Sequence, residues 1–221
     1  LKYRLRASAI HLAISLSVAT LAALVVFGWW YPYPYRELSG GRELFALVVV
    51  VDVVLGPLIT LVIFNPAKTR RHLVMDFTVI GLLQVAALAY GLWTVFVARP
   101  VHLVFEYPRM AVVHAVDIEP DTLTQAPSGL QQLPLRGPTL LSLRPLQGNE
   151  AIESVMLATG GISQAAQPHL WQPYEAAREQ ILQESRPAAQ LQERFPSHAD
   201  AIDRAVARTG RPLNELRTLP L

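Results

Sequence analysis

The pattern of apolar and polar positions divides the chain in two. Between Ala7 and Val97 three apolar runs follow one another, and after Arg99 the runs shorten and polar residues return. A helix rises about 1.5 Å per residue, so about 20 apolar residues cross a hydrocarbon core of about 30 Å. The first run, Ala7 to Trp30, carries no Asp, Glu, Lys or Arg; the second extends from Leu44 to Phe64 and the third from about Leu73 to Val97. Each predicts a membrane-crossing helix. The first is too long for the apolar segment of a cleaved leader, and Phe27-Gly28-Trp29-Trp30-Tyr31 is no small-residue cleavage site, so it reads as a retained span.

The ends of the runs support this reading. Trp29, Trp30, Tyr31, Tyr33 and Tyr35 cluster where the first span meets the headgroups, Pro32 and Pro34 stop the helix there, and Trp93 lies near the matching end of the third span. Lys2, Arg4 and Arg6 precede the first span and Lys68, Arg70 and Arg71 lie between the second and third; Arg36 and Arg42 fall in the intervening loop and Arg99 after the third. The bias predicts a cytoplasmic N-terminus and a C-terminal domain outside, which in a bacterial inner membrane is the periplasm.

Beyond Arg99 a different period takes over. Val101–Phe105 and Met110–Val116 read as strands, Thr139–Leu143 as a third, and Glu150–Thr159 as a helix ended by Gly160-Gly161. Helices follow over Tyr174–Ser185, Ala188–Arg194 and His198–Thr209, separated by Pro187 and Pro196. The expected architecture is a three-helix transmembrane domain over 1–99 and a small α+β periplasmic domain over 100–221.

Composition narrows the chemistry. The chain is 52% hydrophobic and 16% charged with a net charge of +2, a balance that favours the bilayer and gives no footing for nucleic acid. It has no cysteine, which removes disulfides, thiolate metal sites and cysteine nucleophiles. None of the six histidines forms a metal-ligand pair at helical spacing, and no nucleophile elbow, phosphate loop or dinucleotide fingerprint is present. A non-enzymatic protein is expected, with no catalytic residue, metal, cofactor or small-molecule substrate.

The informative positions are polar residues within the apolar runs. Asp52, in Val50-Val51-Asp52-Val53-Val54, sits where a carboxylate costs a few kcal/mol unless it is protonated, paired or turned toward protein or water. It lies 12 residues from Phe64, about 18 Å deep, and Gln84 lies 11 residues from Leu73, about 16 Å from the same face. Ser17 and Thr20 fall at a similar level, so a polar layer is expected in which Gln84, and Ser17 or Thr20, hydrogen-bond to Asp52. Gly56-Pro57, one turn on, should weaken or kink the second helix. Two readings of Asp52 stand side by side: it fixes helix packing, or it receives a polar group from a partner's transmembrane helix, with Gly56, Pro57 and Gln84 around it. Asp76, one turn into the third span, is expected to pair with Arg70, Arg71 or the N-terminal arginines at the cytoplasmic interface.

Several of these segments together resemble the TfpX/TfpZ family of type IV pilin accessory proteins. They are Arg4-Leu5-Arg6-Ala7 with Ile10-His11-Leu12, the Trp30-Tyr31-Pro32 stop, and Val51-Asp52-Val53-Val54-Leu55-Gly56-Pro57-Leu58. Asp76 with Gln84, Tyr90-Gly91-Leu92, and Arg99-Pro100 before Val104-Phe105 complete the likeness, which covers about the first 120 residues. The resemblance implies an inner-membrane accessory or chaperone protein that assists a type IV major pilin, touching the pilin's transmembrane helix and its periplasmic head. The alternative is a small subunit of a membrane transport or electron-transfer complex, for which further intramembrane carboxylates or histidine ligands would be expected.

Overall fold

The computed structural model describes residues 2–221. The chain forms two compact units: a membrane unit of the residues up to Val101 with 114–116 and 134–137, and a soluble unit of 102–113, 117–133 and 138–221.

Three helices of the membrane unit, Lys2–Trp30, Gly41–Ile63 and Arg70–Val97, are long and apolar enough to cross a bilayer. The first consists of α1 (Lys2–Val25) and a π-helical turn over Val26–Trp30, closed by the Tyr31 N–H on the Val26 carbonyl at 2.7 Å. A short α2 (Tyr35–Leu38) fills the connection; then come α3 (Gly41–Val50), a second π-turn over Val51–Leu55, and α4 (Gly56–Ile63). The third helix is α5 (Arg70–Val97), capped by Thr69, whose hydroxyl oxygen accepts from the His72 N–H. The helices start earlier than the apolar runs do, because long basic side chains join a first turn while their charges reach outward.

Pro57 explains the second π-turn. Its ring excludes an ordinary α-helical turn beneath it, and the chain widens just before it. In that wider register the Asp52 carbonyl would pair with residue 57, which has no N–H.

One end of the bundle is closely packed. Ala22, Val26, Tyr31, Phe45, Val48 and Val95 form a buried cluster. The Tyr31 ring lies so near Gly41 that a Cβ there would be 2.3 Å from Tyr31 Cδ1, and its hydroxyl donates to the Val95 carbonyl at 3.2 Å. Two later segments return to this end: the Ala115 N–H donates to the Arg99 carbonyl at 2.9 Å and the Gly137 N–H to the Trp29 carbonyl at 2.7 Å. Arg99 is buried against the carbonyl end of α5, donating to the Phe96 carbonyl at 2.8 Å and the Pro134 carbonyl at 3.3 Å.

The soluble unit is α+β. Its sheet has the order β2-β1-β3-β4, with β1 (Pro100–Glu106), β2 (Arg109–His114), β3 (Thr139–Leu143) and β4 (Trp171–Pro173). β1 and β2 are joined by two residues, Tyr107-Pro108, which permits only a hairpin. β3 runs parallel to β1, with His102 opposite Thr139, and antiparallel to β4. Phe105, Met110, Ala177 and Ile181 make a buried cluster against one face. Helix α6 spans Glu150–Thr159, the range its pattern predicts. Arg144 grips the Glu150 carboxylate with two bonds of 2.7 and 2.8 Å, and the Gln147 N–H adds a third. Together these hold that carboxyl down at about 2. The later helices, α7 (Arg178–Glu184), α8 (Ala189–Arg194) and α9 (Ala199–Thr209), are slightly shorter than their patterns suggest, and Tyr174–Ala177 is a 3-10 turn.

Candidate functional site: a polar cluster beside an intramembrane groove

The second helix carries Asp52, Gly56 and Thr60 at spacings of four, one stripe along its inner side. Gly56 lets the third helix's amide approach: a Cβ on it would fall 1.9 Å from Gln84 Nε2. Ser8 and His11, one turn apart on α1, complete the cluster from the other side. The Ser8 hydroxyl donates to the Pro57 carbonyl at 2.9 Å. His11 engages Thr60 Oγ1 through Nδ1 at 2.5 Å and Gln84 Oε1 through Nε2 at 2.6 Å. Gln84 Nε2 then donates to both the Asp52 carbonyl and Asp52 Oδ1, each at 3.3 Å.

These bonds share a direction. Gln84 Oε1 can only accept, so His11 donates to it from Nε2, while Nδ1 and the Thr60 hydroxyl share the other bond. Donation runs from His11 through Gln84 to Asp52. The carbonyl left without a backbone partner by Pro57 thus receives one from a side chain of another helix, the usual remedy where no water is available.

A groove of about 470 Å³ lies alongside, between the first and third helices, with Asp52, His11 and Gln84 among its lining residues. The rest of the lining is mostly apolar, including Ile14, Ile80, Val85 and Leu88. Asp52 is 9% exposed, and a second groove of about 270 Å³, between the second and third helices, reaches it as well.

Of the positions the sequence singled out, Asp52, Gly56, Pro57 and Gln84 come together here. Ser17 and Thr20 do not. Their hydroxyls donate to the carbonyls of Ala13 and Leu16 in their own helix, at 2.8 and 2.7 Å, which is how such side chains satisfy themselves without a neighbour. Asp76 pairs with Lys68 at 2.6 Å rather than with Arg70 or Arg71. Those arginines precede it by six and five positions, off its helical face, whereas Lys68 reaches back from the loop. Sequence reasoning missed Ser8, His11 and Thr60; the shared three-residue spacing of Ser8–His11 and of Pro57–Thr60 was the available sign. Among the described residues no group of His, Cys, Asp and Glu is placed to hold a metal ion.

Comparison with known proteins places the chain in a family. Residues 1–40 match the family profile of the fimbrial assembly protein FimB. The serogroup I fimbrial assembly protein of Dichelobacter nodosus is 39% identical over 184 residues, 83% of this chain and 72% of that protein. The chain belongs to the fimbrial assembly protein family. The serogroup E1 protein of the same organism is 36% identical over the same shares, and the serogroups C1 and C2 protein is 40% identical over 119 residues, 54% of this chain and 91% of that protein. No solved structure matches. Membership agrees with the type IV pilus accessory resemblance of the sequence, and the stretch matching the family profile contains Ser8, His11 and the Trp29–Tyr35 aromatics.

Proposed function

We propose that this membrane protein assists the assembly of type IV pili by binding a pilin, without catalysing a reaction. In this reading it resides in the inner membrane with its N-terminus in the cytoplasm and residues 100–221 in the periplasm. Its helices hold the pilin's transmembrane segment, and its soluble unit contacts the pilin's head. The observation that carries the reading is the open groove along helices already sufficient for anchoring: a bare anchor needs one helix and no intramembrane cluster. Two weak contacts on one partner reinforce each other, because the second forms at the high effective concentration set by the first. The names of the relatives support an assembly role, and the absence of any recognisable catalytic motif suits a binding protein.

The test is co-purification of the major pilin with the full chain from membranes. The expected result is a complex that weakens when the groove is altered or the soluble unit is replaced. Unchanged pilin levels and piliation in cells lacking this protein would sink the proposal.

A further inference from the structure

Asp52 is 91% buried, by its 9% exposure, and lines both grooves. Gln84 supplies one of its carboxylate oxygens, Oδ1, with a long bond; no hydrogen bond to Oδ2 is formed among the described residues, and Oδ2 is not one of the fully enclosed unpartnered atoms, so it keeps access to the grooves. Ser15, 4% exposed on the same groove wall, likewise makes no hydrogen bond with its hydroxyl. In water these atoms would be hydrated, but a groove opening on hydrocarbon offers no such substitute, and an unmatched polar group there is costly. The spans hold no Lys or Arg at this depth to answer the carboxylate. Every donor in the cluster is already used, and the whole chain of bonds points at Asp52.

We infer that the groove takes one face of a partner's transmembrane helix that presents an N–H or O–H donor to Asp52 Oδ2 at mid-depth. This rests on the reading that the spans hold a partner's helix, and it specifies what that helix must carry. The complementarity decides among occupants. A lipid acyl chain fills apolar space but brings no donor. A second copy of this chain brings no cation at that depth; its Ser17 and Thr20 hydroxyls are committed to their own helix, and its Ser15 hydroxyl is buried in its own groove wall, 4% exposed. The groove volume suits side chains along one helix face, with apolar walls for the neighbours of the donor.

Gly81 gives a clean way to block the site. It lines the groove, and a Cβ added there meets nothing within 4 Å, so the side chain of Gly81→Phe starts into open space at the groove. The experiment places a photo-cross-linking amino acid at Val85 in the full chain, in native membranes containing the major pilin, and identifies the joined peptide by mass spectrometry. The expected product is a pilin transmembrane segment with a donor side chain at the level of Asp52. Asp52→Leu and Gly81→Phe each reduce it at least 10-fold, and replacing the pilin's donor by Leu gives the same loss with no additional effect in the Asp52→Leu background. Asp52→Asn separates two forms of the donor: retention marks a neutral donor, loss a cationic one. Undiminished cross-linking in Asp52→Leu, or products that are only lipid adducts or self-dimers, overturns the inference. Should Asp52→Leu fail to accumulate, Gly81→Phe carries the test, and undiminished cross-linking there overturns the inference as well. Pilin that co-purifies without any Val85 cross-link refutes the groove alone, whereas wild-type protein that retains no pilin refutes the proposed function.

Discussion

The membrane and soluble units each place a histidine among apolar side chains, and they satisfy it differently. His11 is half-buried, and both ring nitrogens are bonded, to helices 49 and 73 residues away along the chain. His102, in β1, is 1% exposed; its Nδ1 meets Thr139 Oγ1 at 2.6 Å, its Nε2 has no partner, and its ring lies edge-on to Trp171 at 4.6 Å. The first histidine ties three helices together and ends in a carboxylate beside a groove. The second is enclosed, its free nitrogen shut off from the surface. Burial of a polar group therefore does not mark a functional site by itself. Unused bonding capacity that faces an opening is what sets Asp52 apart.

The largest effect that would sharpen this contrast is on the soluble unit at low pH. Burial pulls the His102 imidazole from 6.5 down to about 4. The unfolded chain takes up a proton below 6.5 while the folded one resists until about 4, so stability rises with pH across that window. The His102 contribution is complete above 6.5, is lost as the pH falls toward 4, and changes no further below it. The loss is about 3 kcal/mol at about 1.4 kcal/mol per unit. Pulse proteolysis of the full chain in urea, scoring cleavage within 102–173, should show this slope, and His102→Leu should flatten it. An equal slope in the variant would assign the effect to another group.

Next in size is Gly56→Ala. Its methyl group would displace the Gln84 amide, depriving His11 Nε2 of its acceptor and the Asp52 carbonyl of its donor. A loss of about 1–3 kcal/mol in the membrane unit is expected, read as a lower thermal midpoint in micelles. Thr60→Val follows, removing the hydrogen-bond partner of His11 Nδ1 for about 0.6 kcal/mol, the typical worth of such a bond between membrane helices. If Gly56→Ala were silent, the cluster would be incidental to the fold and the contrast between the two histidines would fail.

Much of this was legible in the residues. Asp52 and Gln84 could be matched because each lies in a helix whose ends are fixed by a loop of charged residues, so counting 1.5 Å per residue gives nearly equal depths. His11 was missed because the first helix begins at Lys2, five residues before its apolar run. Counted from Ala7 it lies about 6 Å deep; counted from Lys2 it lies about 13 Å deep, within reach of Gln84. The same displacement carried Ser17 and Thr20 past the cluster. In the soluble unit α6 was readable from its own period and its terminal glycines. β4 was not, since the three residues Trp171–Pro173 have no period and become a strand only through β3. The π-turn at Val51–Leu55 could be anticipated from Pro57 as a weak point, but not as a widening, because its form depends on the side chain that answers the freed carbonyl.

The smallest expected effect tests whether depth or register decides membership of the cluster. Ser17→Ala and Thr20→Val remove hydroxyls like that of Thr60, but from the exposed side of their helix, whereas Thr60 is buried. Their bonds run back to their own helix, so deletion removes a donor and frees a carbonyl that already has its helical N–H. Changes within about 0.5 kcal/mol are expected, as for substitutions away from packing and buried polar contacts. Measured beside Thr60→Val in the same micelles, the pair should leave the thermal midpoint and the Val85 cross-link where they were. A loss equal to that of Thr60→Val would mean that the two hydroxyls leave their own helix to join Asp52. The cluster would then be a layer set by depth rather than a chain of bonds set by which faces meet.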